Sequence, residues 1–265
     1  MRITTWNINS VRLRLDGLRR LLDACRPDVV CLQEIKVVDD LFPHVAIEAL
    51  GLPHRFVHGQ GSYHGVAILS KLPLAEPVTF DWGAVGHARH QRVTLPGGVH
   101  LHNVYVPAGG DVPDPDENPK FRHKLEFMGH LAEHSAHAAR DGVPAVLVGD
   151  LNIAPLETDV WSHRQLLKVV SHTPVEVEAF GRFMAARPWT DAVRRFVPTQ
   201  EKLFTWWSYR NRDWRASDRG RRLDHVLVTP ELAEGLRGAE VLRDARDWPL
   251  CSDHVPVTVE LALPG

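Results

Sequence analysis

Short apolar runs recur from one end of the chain to the other, and many of them stop on, or start from, a polar or acidic residue. Arg2 to Trp6 leads to Asn7, Val29 to Leu32 leads through Gln33 to Glu34, and Val99 to Val106 carries Tyr105 near its end. Ala145 to Val148 leads through Gly149 to Asp150 and Asn152, Leu223 to Val228 contains Asp224, and Val255 to Leu263 follows Asp253 and His254. With Val66 to Leu69 and Gln91 to Leu95, these runs are rich in Val, Ile and Leu and bounded by Gly, Pro, Asn or Asp, which predicts β-strands. Such a chain must build sheets, and the polar ends of separate strands then have the chance to converge on one cleft.

Helical patterns lie between some of the strands. Val11 to Ala24 puts Val11, Leu15, Leu18, Leu21 and Leu22 on one face with arginines opposite, and Pro27 follows its end. Phe121 to Arg140 is a longer amphipathic helix. The strands Gln91 to Leu95 and Val99 to Val106 flank Gly97-Gly98, the pattern of a hairpin, so the sheets are expected to be mixed or antiparallel. No Pro/Gly/Ser linker or internal repeat divides the 265 residues, and one domain over 1–265 is expected. The least regular stretch, Gly109 to Pro119, has four acids and three prolines and reads as a solvated loop.

Composition narrows the function. At 44% apolar and 24% charged the chain is neither disordered nor fibrous. With 31 basic against 33 acidic side chains its formal charge is −2, against a general nucleic-acid coat protein but not against a local basic groove. Three cysteines without a CxxC pair support neither a disulfide framework nor a thiolate zinc site, so a reducing cytoplasm is expected. Neither a signal-peptide pattern nor a membrane-length apolar stretch is seen, and no membrane partner is expected.

Taken singly, each polar strand end has a bland explanation as a turn or cap residue, and Glu34 as a surface acid paired with Lys36. Jointly they do not. A cluster of Glu34, Asp150, Asp224 and Asp253 would repel itself unless a cation neutralised it, and hard oxygen donors suit Mg²⁺, with Mn²⁺ as a substitute, rather than zinc. Magnesium takes few protein carboxylates, which leaves Asp150 and Asp224 for proton transfer and for orienting a histidine.

The segments Ile3-Thr4-Thr5-Trp6-Asn7-Ile8-Asn9-Ser10, Cys31-Leu32-Gln33-Glu34-Ile35-Lys36, Gly65 to Ser70, Asn103-Val104-Tyr105-Val106-Pro107, Gly149-Asp150-Leu151-Asn152, Phe204-Thr205-Trp206-Trp207 and Ser252-Asp253-His254 occur in this order along the chain. Together they resemble the exonuclease III family of the endonuclease/exonuclease/phosphatase superfamily. The resemblance implies a DNase I-like, four-layered α/β sandwich of two packed, mostly antiparallel sheets with helices outside. It also implies a Mg²⁺-dependent, monomeric DNA repair nuclease that hydrolyses phosphodiesters at abasic sites or 3′ ends of duplex DNA. Carried onto this chain, Glu34 is the principal metal ligand, with Asn9 and Asp253 near the same ion or a second one. Asp150 orients or deprotonates the water with help from Asn152. His254 contacts the phosphate, with Asp224 on its other ring nitrogen, and Asn7 and Tyr105 position phosphate oxygens.

Substrate choice is a separate question, since the superfamily fold also serves RNA and small phosphate esters, and a DNA-binding relative without catalysis is a further alternative. From Trp206 to Leu223 six arginines, Arg221 and Arg222 among them, stand against two aspartates and are interleaved with Trp206, Trp207, Tyr209 and Trp214. Cations that track phosphates beside aromatic faces suit nucleic acid, whereas the bland reading is a solvated loop over a tryptophan core. The resemblance places Trp206 and Leu223 in a pocket for an extrahelical abasic sugar. The chain departs from the family pattern at Ser208, Arg221, Ala108 and His87 to Arg92, which leaves open the balance between abasic endonuclease, 3′ exonuclease and 3′ end cleaning.

Overall fold

The computed structural model describes residues 1–263. In chain order its elements are β1 (Arg2–Asn7), α1 (Leu15–Cys25), β2 (Val29–Gln33), α2 (His44–Ala49), β3 (His54–His58), β4 (Val66–Ser70), β5 (Ala75–Phe80), β6 (His90–Leu95) and β7 (Val99–Tyr105). There follow α3 (Pro119–Asp141), β8 (Ala145–Asp150), α4 (His163–Leu166), α5 (Pro174–Ala186), β9 (Thr190–Asp191), β10 (Trp206–Trp207) and α6 (Trp214–Ser217). The last are β11 (Gly220–Arg221), β12 (Asp224–Val228), α7 (Pro230–Ala233), β13 (Leu236–Val241) and β14 (Val257–Leu261).

Two six-stranded sheets result, in the orders β13-β14-β1-β2-β4-β3 and β5-β6-β7-β8-β12-β9. Each contains one parallel pair, β1 with β2 and β7 with β8, and is otherwise antiparallel. The hairpin between β6 and β7 pairs Leu95 with Val99 around Gly97 and Gly98, both at positive φ. Ile3, Val29, Cys31, Val99, Leu101, Val146, Val148, Val226 and Val257 form the apolar layer between the sheets. On one outside, Leu18, Leu21 and Ile47 of α1 and α2 cover Val30, Leu32 and Leu69. On the other, Phe127, Leu131, Phe180 and Phe183 of α3 and α5 cover Val104, Leu147 and Leu227. This is the expected four-layered sandwich. Removing each such Leu or Val from water is worth about 1.5–3 kcal/mol, and the two-residue period of the strands sends alternate residues to alternate layers.

The expected central strands are present, with ends shifted by a residue or two. Helix α1 begins at Leu15 rather than Val11, because Val11 donates its N–H to Ile35 O and residues 11–13 form a turn. Strands β3, β5, β9 and β13, which the apolar pattern does not announce, are the four sheet edges. Edge strands carry charges and breaks that discourage further pairing, and Glu76-Pro77 in β5 and Arg237-Gly238 in β13 are of that kind. Helix α5 also escaped the apolar pattern, although Thr173-Pro174-Val175-Glu176 is a capping box with proline at the first helical position.

Candidate active site

Between the sheets the inward residues change from aliphatic to polar toward one end. Along β1 they run Ile3, Thr5, Asn7; along β8, Val146, Val148, Asp150; along β7, Leu101, Asn103, Tyr105; along β12, Val228, Val226, Asp224. Tyr105 is the register partner of Asp150, and Asp150 that of Asp224, so three neighbouring strands deliver their polar ends side by side. Below them, Gln33 Nε2 donates to Asn103 Oδ1 at 2.7 Å and Thr5 Oγ1 at 2.9 Å, which joins the two sheets through buried amides, although Gln33 Oε1 has no partner among the described residues. Gly149 is required there: a Cβ would lie 1.8 Å from Val104 O.

Beyond the strand ends the backbone is bent. Glu34, Asn152 and Asn9 sit at φ of 50°, 52° and 49°, a conformation costing a non-glycine residue about 1–2 kcal/mol. It turns each side chain out of the strand alternation, and hydrogen bonds hold it there. Asn7 Nδ2 donates to Glu34 Oε1 and to Asp150 Oδ2, both at 3.0 Å, and Tyr105 OH donates to Glu34 Oε1 at 2.6 Å. Asn152 N donates to Asp150 Oδ1 at 2.9 Å. The His254 ring bonds Asp224 Oδ2 through Nδ1 at 2.8 Å and brings Nε2 to 3.6 Å from Asp150 Oδ2. Thr205 Oγ1 donates to the same Asp224 oxygen at 2.6 Å, and Asp253 accepts from Asn9 Nδ2 at 3.1 Å and Trp206 Nε1 at 2.9 Å.

Burial makes these contacts strong. For Glu34 burial alone would raise the pKa, but the hydrogen bonds from Tyr105 and Asn7 and the Lys36 charge outweigh it and bring it down to about 2. Burial lifts the Asp150 carboxyl above the usual range; His254 opposes the rise, and Asp224 and Glu34 add to it. Burial opposes a charge on His254, yet Asp224 and Asp150 more than compensate and hold the ring as an imidazolium. The result is a raised carboxyl beside a stabilised cation, the pattern that separates proton acceptor from proton donor.

Two groups of donors could hold a cation. Ligand atoms of Asp150, Asp224 and His254 lie within 4.8 Å of one another, so these three could take a metal ion. His254 already bonds Asp224, however, and a protonated ring has no free lone pair to offer a metal. The second group is Glu34, Asn9 and Asp253. Lys36 Nζ stands 2.9 Å from Glu34 Oε2 and donates to Asn9 Oδ1 at 2.6 Å, so an ammonium occupies the place a cation would take among hard oxygen donors.

These side chains open onto a cleft of about 540 Å³ lined by Glu34, Tyr105, Asp150, Asn152, Asp253 and His254. Trp206, Leu223, Arg221, Arg219 and Trp161 also line it, with Trp206 bonded to Asp253. The Arg221 guanidinium lies 5.3 Å over the Trp206 ring and is fixed by Val170 O and Ser171 Oγ, both at 2.9 Å; Arg219 covers Trp161 at 4.8 Å.

Three expectations need correction. Arg222 does not reach the cleft: it is fully buried and bonded to both carboxylate oxygens of Asp191 at 2.7 Å, because strand alternation sends it to the face opposite Arg221. Asn7 is fully buried with both amide protons spent on Glu34 and Asp150, so it orients carboxylates and has no donor left for a phosphate. Tyr105 lines the cleft, but its one hydroxyl proton is donated to Glu34. Four residues were not singled out as part of the site: Lys36, Thr205, Trp161 and Lys124, which donates to Asn152 O at 2.7 Å. Lys36 and Thr205 lie inside the quoted motifs; Trp161 and Lys124 carry no local signal.

A family model described as "Endonuclease/Exonuclease/phosphatase family" matches residues 4–254. The chain is 30% identical to exodeoxyribonuclease III of Haemophilus influenzae over 98% of this chain and 99% of that protein. Its structure resembles that of a 3′-5′ exonuclease from Neisseria meningitidis, with a TM-score of 0.90 and 32% identity over 98% of this chain and 99% of the other. It also resembles an AP endonuclease from Archaeoglobus fulgidus, with a TM-score of 0.92 and 28% identity over 99% of this chain and all of the other. Match length, the order of the motifs and the shared fold agree, and the chain belongs to the endonuclease/exonuclease/phosphatase family.

Proposed function

We propose that the protein is a Mg²⁺-dependent DNA repair nuclease that hydrolyses phosphodiesters of duplex DNA at abasic sites and 3′ ends, acting as a cytoplasmic monomer. The observation that carries this reading is the buried Asp224–His254–Asp150 arrangement, in which a carboxyl of raised pKa stands 3.6 Å from a histidine nitrogen at the edge of an open cleft. The names of the relatives, an exodeoxyribonuclease, a 3′-5′ exonuclease and an AP endonuclease, support the same reaction class.

In this reading Asp150 takes the proton of the attacking water, and the Asn152 N–H and the Asn7 amide hold its carboxylate in place. His254, kept protonated by Asp224, donates to a non-bridging phosphate oxygen and offsets the charge that builds there. Asn152 cannot aim its amide freely, since Nδ2 donates to Val106 O at 2.9 Å; it acts by setting the turn that follows Asp150. Glu34, Asn9 and Asp253 would hold Mg²⁺, or Mn²⁺ in its place, and the bound ion supplies Lewis-acid stabilisation of the phosphate. Trp206 and Leu223 give the cleft an apolar floor for a deoxyribose, and Arg221 adds a fixed positive charge beside it.

The test is cleavage by purified protein with magnesium of duplexes carrying an abasic site, a recessed 3′ end or a 3′ phosphate, alongside matching RNA. Metal-dependent cleavage of the DNA substrates is expected. Cleavage of RNA alone would replace this reading with an RNA phosphodiesterase, and abasic DNA bound but not cut would replace it with a DNA-binding relative that has lost catalysis.

A further inference from the structure

On the far side of the second sheet, away from the cleft, the outward positions of β6 and β7 are not aliphatic. Val93, Leu95, Val99 and Leu101 face the other sheet, so His90, Arg92, His100 and His102 face α3. From α3, His134 and His137 meet them over a cavity of about 130 Å³, to which Arg187 also contributes. We propose that this cavity binds a small tetrahedral oxyanion, inorganic phosphate or sulfate, on converging Arg92, Arg187 and His102 donors.

Two independent observations lead there. The first is a chain of hydrogen bonds that fixes a proton. An indole N–H only donates, so the bond between Trp82 Nε1 and His90 Nδ1, 3.1 Å long, makes Nδ1 an acceptor. A neutral His90 then carries its hydrogen on Nε2 and donates it to His102 Nδ1 at 2.9 Å. The hydrogen of His102 is thereby forced onto Nε2, where no protein acceptor pairs with it among the described residues. Burial keeps both rings neutral, well below the usual histidine range.

The second observation is cationic charge without a direct ion pair. Arg187 is 5% exposed, bonds Val143 O and lies 5.2 Å over the Trp189 ring; Glu231 and Asp141 act on it through space, but no ion pair joins it to a carboxylate among the described residues. Arg92 has no carboxylate partner there either, and its buried Nε bonds nothing, as does His134 Nε2. Asp141 is the one acid that lines the cavity, and it is exposed at the end of α3. A buried guanidinium without a direct ion pair is costly, and an anion seated between Arg187 and the half-buried Arg92, accepting from His102 Nε2–H, lowers that cost. The space equals about four water volumes, enough for one tetrahedral oxyanion and no nucleotide.

The probe is inorganic phosphate added to the metal-free full-length protein, with chloride of equal ionic strength as the reference. Saturating phosphate is expected to raise Tm by about 2–4 °C over chloride. Arg92→Gln should abolish most of that shift while leaving DNA cleavage as in wild type, since Arg92 has no part in the cleft. Histidine ¹⁵N spectra should show His102 protonated at Nε2, with that resonance moving on phosphate addition. An equal shift in chloride, a full shift retained in Arg92→Gln (phosphate in the catalytic cleft instead) or a His102 protonated at Nδ1 would each overturn the proposal.

Discussion

Glu34 shows how one side chain can satisfy two readings at once. It is paired with Lys36, as a surface acid would be, and it also receives Tyr105 and Asn7 and faces the cleft. If it is the main cation ligand, Glu34→Gln keeps the shape and loses the charge. The expected result is that half-maximal cleavage requires at least about tenfold more Mg²⁺, read from a metal titration. Arg221 and Arg222 make the opposite point: adjacent and identical in charge, they go to different faces of the chain, and a tally of arginines between Trp206 and Leu223 could not separate them. The Arg221 guanidinium lies 5.3 Å from the Trp206 ring centre, so it puts a charge beside the apolar floor proposed for a sugar. Arg221→Leu should therefore raise abasic-site cleavage relative to removal of a 3′ phosphate by about 3–10-fold, a change of roughly 1 kcal/mol, measured as the ratio of kcat/KM values.

At the scale of elements, what was legible were the interior strands, because Val, Ile and Leu recur along them, in unbroken apolar runs in β2, β4 and β8 and interspersed with polar residues in β1, β6, β7 and β14. The four edges were illegible because charge and proline belong on an edge. The loops that line the cleft were illegible for another reason: they are held by one residue distant in sequence. Lys124, fully buried on α3, donates to Asn152 O at 2.7 Å and Ala108 O at 3.3 Å and pairs with the equally buried Glu176 of α5. Glu176 in turn accepts from Ser171 N at 2.9 Å and Thr173 Oγ1 at 2.6 Å, and Ser171 anchors Arg221. One ion pair thus ties together three segments that reach the cleft. Lys124→Met would leave Glu176 buried and uncompensated, at a cost of about 3–5 kcal/mol in stability. It should also lower kcat by about tenfold or more at temperatures well below its melting transition. Wild-type kcat with a lowered Tm would reduce the pair to a stabilising role.

For the molecule as a whole, the layering followed from the two-residue period of the strands, and the site from where that period turns polar. The near-neutral charge is an average over acids gathered at the strand ends and arginines such as Arg219 and Arg221 that line the same cleft. The histidines on the outer sheet face were the least legible feature, since no motif surrounds them and lone histidines usually belong to the surface. Burial holds His90, His102 and His225 below their ordinary range, and His225 falls to about 3. The unfolded chain binds those protons near pH 6.5 and the folded one does not. Their share of stability is therefore fully present above about pH 6.5 and is lost as pH falls below it. Calorimetric Tm values should decline through pH 6 and 5, and should also fall from about pH 7 to 8, because His254, whose pKa is raised in the fold, contributes stability that is lost as pH rises above the unfolded histidine value. The sheets supply a frame whose stability does not depend on the carboxylate it holds at its polar end, so fold and chemistry can be separated at Asp150. The most direct test is the single-turnover cleavage rate of an abasic-site duplex by Asp150→Asn at saturating Mg²⁺, with Tm recorded on the same sample. The expected result is a rate lower by about 10²–10⁴-fold with Tm unchanged or raised, since burial penalises the Asp150 charge and the amide of the same shape carries none. A rate within a few-fold of wild type from a protein of native Tm would contradict the assignment of Asp150 as the base.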